Sequence, residues 1–525
     1  MSQNLKVAVC QINPTLGDFE GNQNLILQKY NDALQKGANF VVFPEMSVCG
    51  YPPQDLLNNN GFIEANLNSI KAISEKISIP CIIGYVDRRG SKLFNAAAIC
   101  VNGNIQHTYH KIHLPNYDVF DEQRYFKSGK DIGIFQVEIE GKKINLGLQI
   151  CEDLWDDEYE RKISAELLQM NPDLIVNISA SPYAQNRFED RKNLIERKFN
   201  SANCPFIYCN TVGGQDELIF DGNSMIFDKN MKLINKAKSF DEDLIISDCI
   251  SSIEIKQKSK ENEIYNALVL GIKDYFKKTG HLKAVIGLSG GIDSALVACL
   301  AVDALGSENV YLVSMPSRFS SDHSKNDAIE LAKNLNANFE MIDIDNLFQN
   351  YLDALVNTFK GTSPNVAEEN IQSRIRGNIL MAISNKFGCL VLSTGNKTEL
   401  GLGYCTLYGD MSGGLSAIGD LNKKEVYSLS NWKNRKNEVI PVNIINKKPS
   451  AELAPEQYDP FDYDDISPVV DEIILGSIVA NEHRELVKKV NINEHKRRQA
   501  APVLRVSKKA FGIGRRIPIV NHFND

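Results

Sequence analysis

Residues 284–300 read AVIGLSGGIDSALVACL. An apolar run meets a Gly-Gly turn, and a helical pattern begins at once on its far side. A buried strand feeding a helix this abruptly belongs to sheets whose strands run parallel and are covered by helices. The flanking residues repeat the pattern: NVYLVSM, FEMIDID and CLVLSTG read as strands, DSALVACLAVDAL and KNDAIELAKNLNA as helices. A longer helix is predicted near 366–387. The prediction is a doubly wound parallel α/β domain, with ligands at the carboxyl ends of its strands. The turn sits at such an end, where backbone N–H groups of a helix N-terminus favour an anion. Its glycines let a ligand approach the backbone closely. No lysine follows in the GxxxxGK[ST] spacing, so this is not the common phosphate loop.

The first half alternates differently. LKVAVCQI, NFVVFPE, IPCIIGYVD, KINLGLQIC, DLIVNIS, CPFIYCN and SMIFDK read as strands, and a hairpin turns at Asn102-Gly103. NLILQKYNDALQKGA, YERKISAELLQM and RKNLIERKFNSA carry helical spacing between them. Sheets covered by helices are expected through about residue 250. The polar stretch SSIEIKQKSKEN, 251–262, reads as a linker, and residues 263–525 as the second domain, opening on a helix capped by Gly280.

At 525 residues and 43% hydrophobic, the chain is long enough for two cores. A net charge of −8 excludes a general basic footprint for nucleic acid. The local cluster HKRR, 495–498, reads as a solvated face or an anion contact. Eleven cysteines, with no CxxC pair and no zinc spacing, mostly lie in apolar runs. Buried free thiols and a reducing cytoplasm are expected. No signal peptide or membrane-spanning run is evident.

Three ionisable residues close predicted strands of the first half: Glu45 after NFVVFP, Lys111 after TYH, and Cys151 after LGLQI. Together they can supply a base, an oxyanion partner and a nucleophile. Singly, each is an ordinary residue; a strand-end cysteine is usually core. His110 and His113 flank Lys111, but strand alternation turns His110 away from the lysine's face. The segments FPEMSVCGYPPQDLL, HKIHLPNYDVFDEQRYF and LQICEDLWDD, in that order, resemble the nitrilase superfamily, specifically its glutamine-amidase members. The resemblance implies a four-layer αββα sandwich over roughly residues 5–245, with Glu45 as general base, Lys111 as electrostatic support and Cys151 as nucleophile. It further implies that Tyr117, Ser181 and Arg187 hold glutamine.

SGGIDS in the second half resembles the loop of ATP pyrophosphatases, which split ATP to AMP and pyrophosphate. EENIQSRIRGNILMAISNKFG, LVLSTGNKTELGLGYCTLYGDMSGG and GDLNKKEVYSLS resemble NAD synthetases. These resemblances imply ATP at Gly287, Leu288, Ser289, Gly290, Gly291, Ile292, Asp293, Ser294, Thr394 and Lys423. They imply Mg²⁺ on Asp293 and Glu399, and a deamidated dinucleotide near Asn370, Glu399 and Lys509, with Arg374 and Arg376 on the same helix as Asn370. The two halves together imply the glutamine-dependent NAD synthetase family: glutamine, ATP and deamido-NAD as substrates, ammonia passed through an internal tunnel, and a homo-oligomer, dimer or octamer. Segments 318–325 and 403–415 carry the small polar residues of loops that order over substrate. Two other readings are an amidotransferase of the same loop class acting on a different acid, and a ligand-binding regulator with dead sites.

Overall fold

The computed structural model describes residues 5–255, 258–455 and 457–520. The chain divides into two units, one holding residues 1–215 and 219–258, the other residues 216–218 and 259–525.

The first unit contains two six-stranded sheets. One runs, edge to edge, Asp243–Ser247, Val7–Gln11, Phe40–Val42, Cys81–Arg89, Lys92–Val101, Asn104–His110. The other runs Leu233–Lys236, Met225–Phe227, Phe206–Asn210, Leu174–Ser179, Lys142–Ile150, Ile134–Ile139. Side-chain alternation explains the layers. Val7 and Val9 join Val176, Ile178 and Ile207 in one core between the sheets. Ala8 and Cys10 face the other way, under helices Phe19–Gln35 and Asn60–Ser74. On the outer face of the second sheet, Ile175, Phe206 and Tyr208 pack under helices Ile163–Gln169 and Arg187–Phe199. Both faces of each sheet are therefore covered at its centre, which is why strands such as Val7–Gln11, Phe40–Val42 and Leu174–Ser179 are buried at every position. Each fully buried Val, Ile or Leu contributes about 1.5–3 kcal/mol. This is the expected αββα sandwich.

The second unit is built on five parallel strands, ordered Asn338–Met341, Val310–Ser314, Lys283–Gly287, Cys389–Ser393, Leu415–Ser416. Val285, Val313 and Val391 pack against Phe348, Ile371 and Ile375 from helices Asp345–Leu355 and Val366–Phe387. Helix Ile292–Leu305, buried on most sides, lies against the sheet and against helices Lys260–Thr279 and Lys423–Lys433. From the central strand the chain steps first to one neighbour and later to the other. The SGGIDS turn stands at that reversal, where doubly wound sheets bind ligands.

Three details differ from expectation or sharpen it. The helix ending at Gly280 starts at Lys260, inside the expected linker, because Ser259 caps it by accepting from the Asn262 N–H at 3.2 Å. Of that linker, residues 256 and 257 lie outside the described residues. The HKRR cluster is not simply solvated or poised for an anion. Arg497 is buried, pairs with Glu494 at 3.0 Å and lies over the Phe511 ring, with Arg515 on the same carboxylate. The eleven cysteines are free thiols, Cys405 alone being half-buried. Among the described residues no helix is long and apolar enough to cross a membrane.

Candidate active sites

In the first unit the three strand-end residues converge. Strand Lys142–Ile150 ends directly on Cys151, whose backbone turns into the left-handed region at φ +42° and opens the short turn 151–154. A buried non-glycine residue held there costs roughly 1–3 kcal/mol and needs surrounding contacts to persist. Asp153 supplies them. Its carboxylate accepts from the N–H groups of Ile150, Ile112 and His113 at 3.0, 3.0 and 2.9 Å, and from Tyr109 OH at 2.8 Å. One buried side chain thus ties the backbone flanking the thiol to the backbone flanking Lys111.

Lys111 is 1% exposed and stands between two carboxylates, donating to Glu45 Oε1 at 2.8 Å and Glu122 Oε1 at 2.9 Å. Burial alone would lower its pKa; Glu122 and Glu45 outweigh that and hold it well above the ordinary lysine value. Glu45 also receives Asn95 Nδ2 at 2.6 Å and the Ala180 N–H at 2.6 Å. Gly84 makes room for this carboxylate's segment, since a Cβ there would lie 2.3 Å from the Met46 nitrogen. The Cys151 thiol is pushed well up by burial and by Glu45, with Lys111 pulling it down. It is therefore a neutral thiol at rest, and a base must take its proton before it can attack.

Glu122 and Asp153 escaped the sequence reading; both sit in acidic stretches that look solvated. The two histidines are engaged elsewhere. His110 meets Asp87 at 2.8 Å and stacks on Phe94, while His113 meets the Arg161 carbonyl at 2.9 Å and stacks on Tyr159. Tyr117 is 52% exposed but its hydroxyl reaches Glu152, donating at 2.9 Å; Tyr159 donates to the same carboxylate at 3.0 Å. Burial pushes Glu152, next to Cys151 in the chain, up to about 7. Ser181 follows Ala180, the residue whose N–H holds Glu45, and Arg187 begins helix Arg187–Phe199 with its guanidinium over the Trp155 ring.

Behind Ser181 lies a fully buried pair. Arg191 donates to both Asp221 oxygens at 2.9 Å and from Nη2 to the Ser181 carbonyl. Asp221 holds the guanidinium firmly charged against the pull of burial. Removing one partner strands the other charge in the core. We expect Arg191→Met to lose about 3–5 kcal/mol of stability, and Arg191→Met with Asp221→Leu to lose less. Denaturant unfolding of the three proteins measures both.

In the second unit, Gly287–Ser289 and Gly291–Ser294 line a cavity of about 300 Å³ with Thr394, Glu399 and Lys423. Gly290, at φ +78°, completes the turn: a Cβ would lie 2.4 Å from the Ser324 carbonyl oxygen, so only glycine fits. Ser294 Oγ donates to the Gly291 carbonyl at 2.9 Å, and the Gly291 N–H reaches Ser289 Oγ at 3.2 Å. Lys423 Nζ bridges the two expected metal carboxylates, at 2.5 Å from Asp293 and 3.5 Å from Glu399. Burial first, then Asp293, push Glu399 up to about 8. Asn396, which the sequence reading passed over, donates to Asp293 at 2.9 Å.

Not every expected residue reaches this cavity. Asn370 accepts from Thr406 Oγ1 at 2.7 Å and is not on the wall; neither is Lys509, whose carbonyl accepts from Ser507. Arg374 donates to the Leu407 carbonyl at 3.2 Å. Arg376, two residues on, does line the cavity.

Each half of the chain matches a known family. Residues 6–254 match the carbon-nitrogen hydrolase family and residues 264–505 the NAD synthase family. Glutamine-dependent NAD(+) synthetases from Synechocystis sp. and Thermotoga maritima are 44% and 39% identical, covering 99% of this chain and 99% of each relative. The structure of the Acinetobacter baumannii enzyme in complex with ADP is 35% identical and superposes with a TM-score of 0.81 over 98% of both chains. That of a Cytophaga hutchinsonii glutamine-dependent NAD(+) synthetase, 21% identical, shares the fold at a TM-score of 0.84 over 98% of both chains. A thiol site and a nucleotide-type cavity on one chain, with relatives alike from end to end, lead to one assignment: the chain belongs to the glutamine-dependent NAD(+) synthetases, carbon–nitrogen ligases that take their nitrogen from glutamine.

Proposed function

We propose that Cys151 hydrolyses the side-chain amide of glutamine and that the second unit joins the ammonia to an adenylated deamido-NAD. Glu45 takes the thiol proton as sulfur attacks the amide carbon, and Lys111 stabilises the oxyanion. Glu45 returns that proton to the nitrogen, so that ammonia leaves from the tetrahedral intermediate, and water then releases glutamate from the thioester. Tyr117, Ser181 and Arg187 hold the amino acid. In the second unit the acid's carboxylate attacks the α-phosphorus of ATP and pyrophosphate departs. Ammonia then attacks the acyl carbon, and AMP leaves.

The Gly-Gly turn and the hydroxyls of Ser289 and Ser294 receive the departing phosphates. ADP bound to the Acinetobacter baumannii relative supports an adenine nucleotide here. Asp293 and Glu399 are two hard oxygen donors that meet around one cation already, the Lys423 ammonium, and they would hold Mg²⁺. Bound there, the ion would neutralise charge on the phosphates. Asn370, Glu399 and Lys509 are assigned to the dinucleotide, with Arg374 and Arg376 on the helix that carries Asn370. Ammonia kept from bulk water stays unprotonated, which is the physical reason for an internal passage.

The observation that carries this reading is the pairing, in one chain, of a buried thiol–lysine–carboxylate cluster with a cavity where a glycine turn faces two carboxylates. Glutamine labelled with ¹⁵N at the amide tests it. The label should appear in the carboxamide of NAD when deamido-NAD and ATP are supplied. Label found only in free ammonium would refute it, and amidation of another acid in place of deamido-NAD would favour the amidotransferase alternative.

A further inference from the structure

The nucleotide cavity already holds an anion, and it is the protein's own. Glu452 belongs to the stretch KKPSAEL, 447–453, part of the cavity wall. Its carboxylate accepts from Lys447 Nζ at 2.7 Å, Ser321 Oγ at 2.9 Å, Ser324 Oγ at 3.1 Å and the Ser321 N–H at 3.3 Å. Lys447 also donates to Ser324 Oγ. One ammonium, two hydroxyls and a backbone N–H converging on one group are what a phosphate oxygen cluster takes.

The surroundings point the same way. Ser324, Lys447 and Glu452 line the same cavity as Ser289 and Asp293, and the Gly290 turn touches Ser324 with no room for a Cβ. Arg376 lines it too. Among the described residues its side chain has one hydrogen bond, from Nε to the Met315 carbonyl at 2.9 Å, and Glu452 is the charge that favours its ionised form against burial. Glu452 reaches its position at φ +48°, a backbone region a glutamate avoids. Although burial raises its pKa, Lys447 and the serines bring it below the usual carboxylate value, so the group is an ionised occupant.

We propose that Lys447, Ser321 and Ser324 form an anion subsite beside the Gly-Gly turn for the terminal phosphates of ATP and the pyrophosphate they become, and that Glu452 is a stand-in which those phosphates displace. This rests on the ATP reading above. A doubly charged phosphate outcompetes a single carboxylate for the same donors, and the displaced residue is released from its strained backbone. The carboxylate keeps the donors assembled while the site is empty and lowers the affinity for stray anions.

Calorimetric titration of the full chain with inorganic pyrophosphate tests this, on the wild type, Glu452→Gln and Lys447→Met. If Glu452 fills the subsite nine-tenths of the time, removing its charge tightens pyrophosphate about tenfold. Lys447→Met should weaken it by at least as much. Unchanged or weaker binding by Glu452→Gln overturns the proposal, as does unchanged binding by Lys447→Met. A parallel ATP titration separates the two readings. No ATP binding by the wild type defeats the ATP assignment itself, whereas ATP binding with pyrophosphate affinity indifferent to Glu452 defeats only the subsite. Near-isosteric Glu452→Gln guards against misfolding, and an unchanged circular dichroism spectrum and thermal unfolding transition of each variant show that the fold is intact.

Discussion

Cys151→Ala is expected to abolish NAD formation from glutamine, by about ten-thousand-fold or more, and to leave formation from ammonium salts within a few-fold of wild type. The thiol is the sole candidate nucleophile in its cluster, and neither Glu45 nor Lys111 can form the thioester in its place. The second chemistry is assigned above to residues of the other unit, in the turn 289–294 and at Glu399 and Lys423. Ammonium-supported activity should rise with pH as the fraction of neutral ammonia grows. Steady-state rates with each nitrogen source, on one preparation, measure both effects. Loss of both activities together would show that the thiol unit does more than release nitrogen.

The architecture was legible because both halves bury strands on two faces, and buried strands announce themselves as apolar runs. The SGG turn was readable for a related reason: glycine at 290 answers a steric demand that no other residue meets. Edge elements were less visible. Asp243–Ser247 pairs antiparallel with Val7–Gln11, yet its half-buried residues give no clear alternation. The site residues divided similarly. Glu45, Lys111 and Cys151 stand at strand ends, where position is informative. Glu122 and Asp153 lie in DEQR and CEDLWDD, and such acidic runs are usually solvated faces. Only the fold brings Glu122 to Lys111, or sets Asp153 among four donors. Glu452 was illegible for a third reason: its segment has no periodicity, and its partners Ser321 and Ser324 are over a hundred residues away in sequence.

Lys423→Met should cut ligation about a hundred- to a thousand-fold with glutamine and with ammonium alike, while glutamine hydrolysis continues. Lys423 is 3% exposed, and its ammonium faces Asp293, Glu399 and the Tyr463 ring. Burial opposes its charge, but Asp293 and then Glu399 raise its pKa above that of a free lysine, so it enters the reaction as a fixed cation. Methionine keeps the length of the stem and removes only the charge. Glu399, already pushed up to about 8 with the lysine present, then loses its nearest compensation and takes a proton over a wider pH range. The substitution thus removes one cation from the path of the departing phosphates and weakens the carboxylate pair that would hold another. Because the first effect acts on charge that develops as pyrophosphate leaves, kcat should fall more than the KM for ATP rises. A Lys423→Arg protein, which restores charge with a different shape, should recover part of kcat. Ammonium-supported turnover of Lys423→Met within tenfold of wild type would mean that this lysine only neutralises buried acids, and that the charge stabilising the leaving group comes from elsewhere.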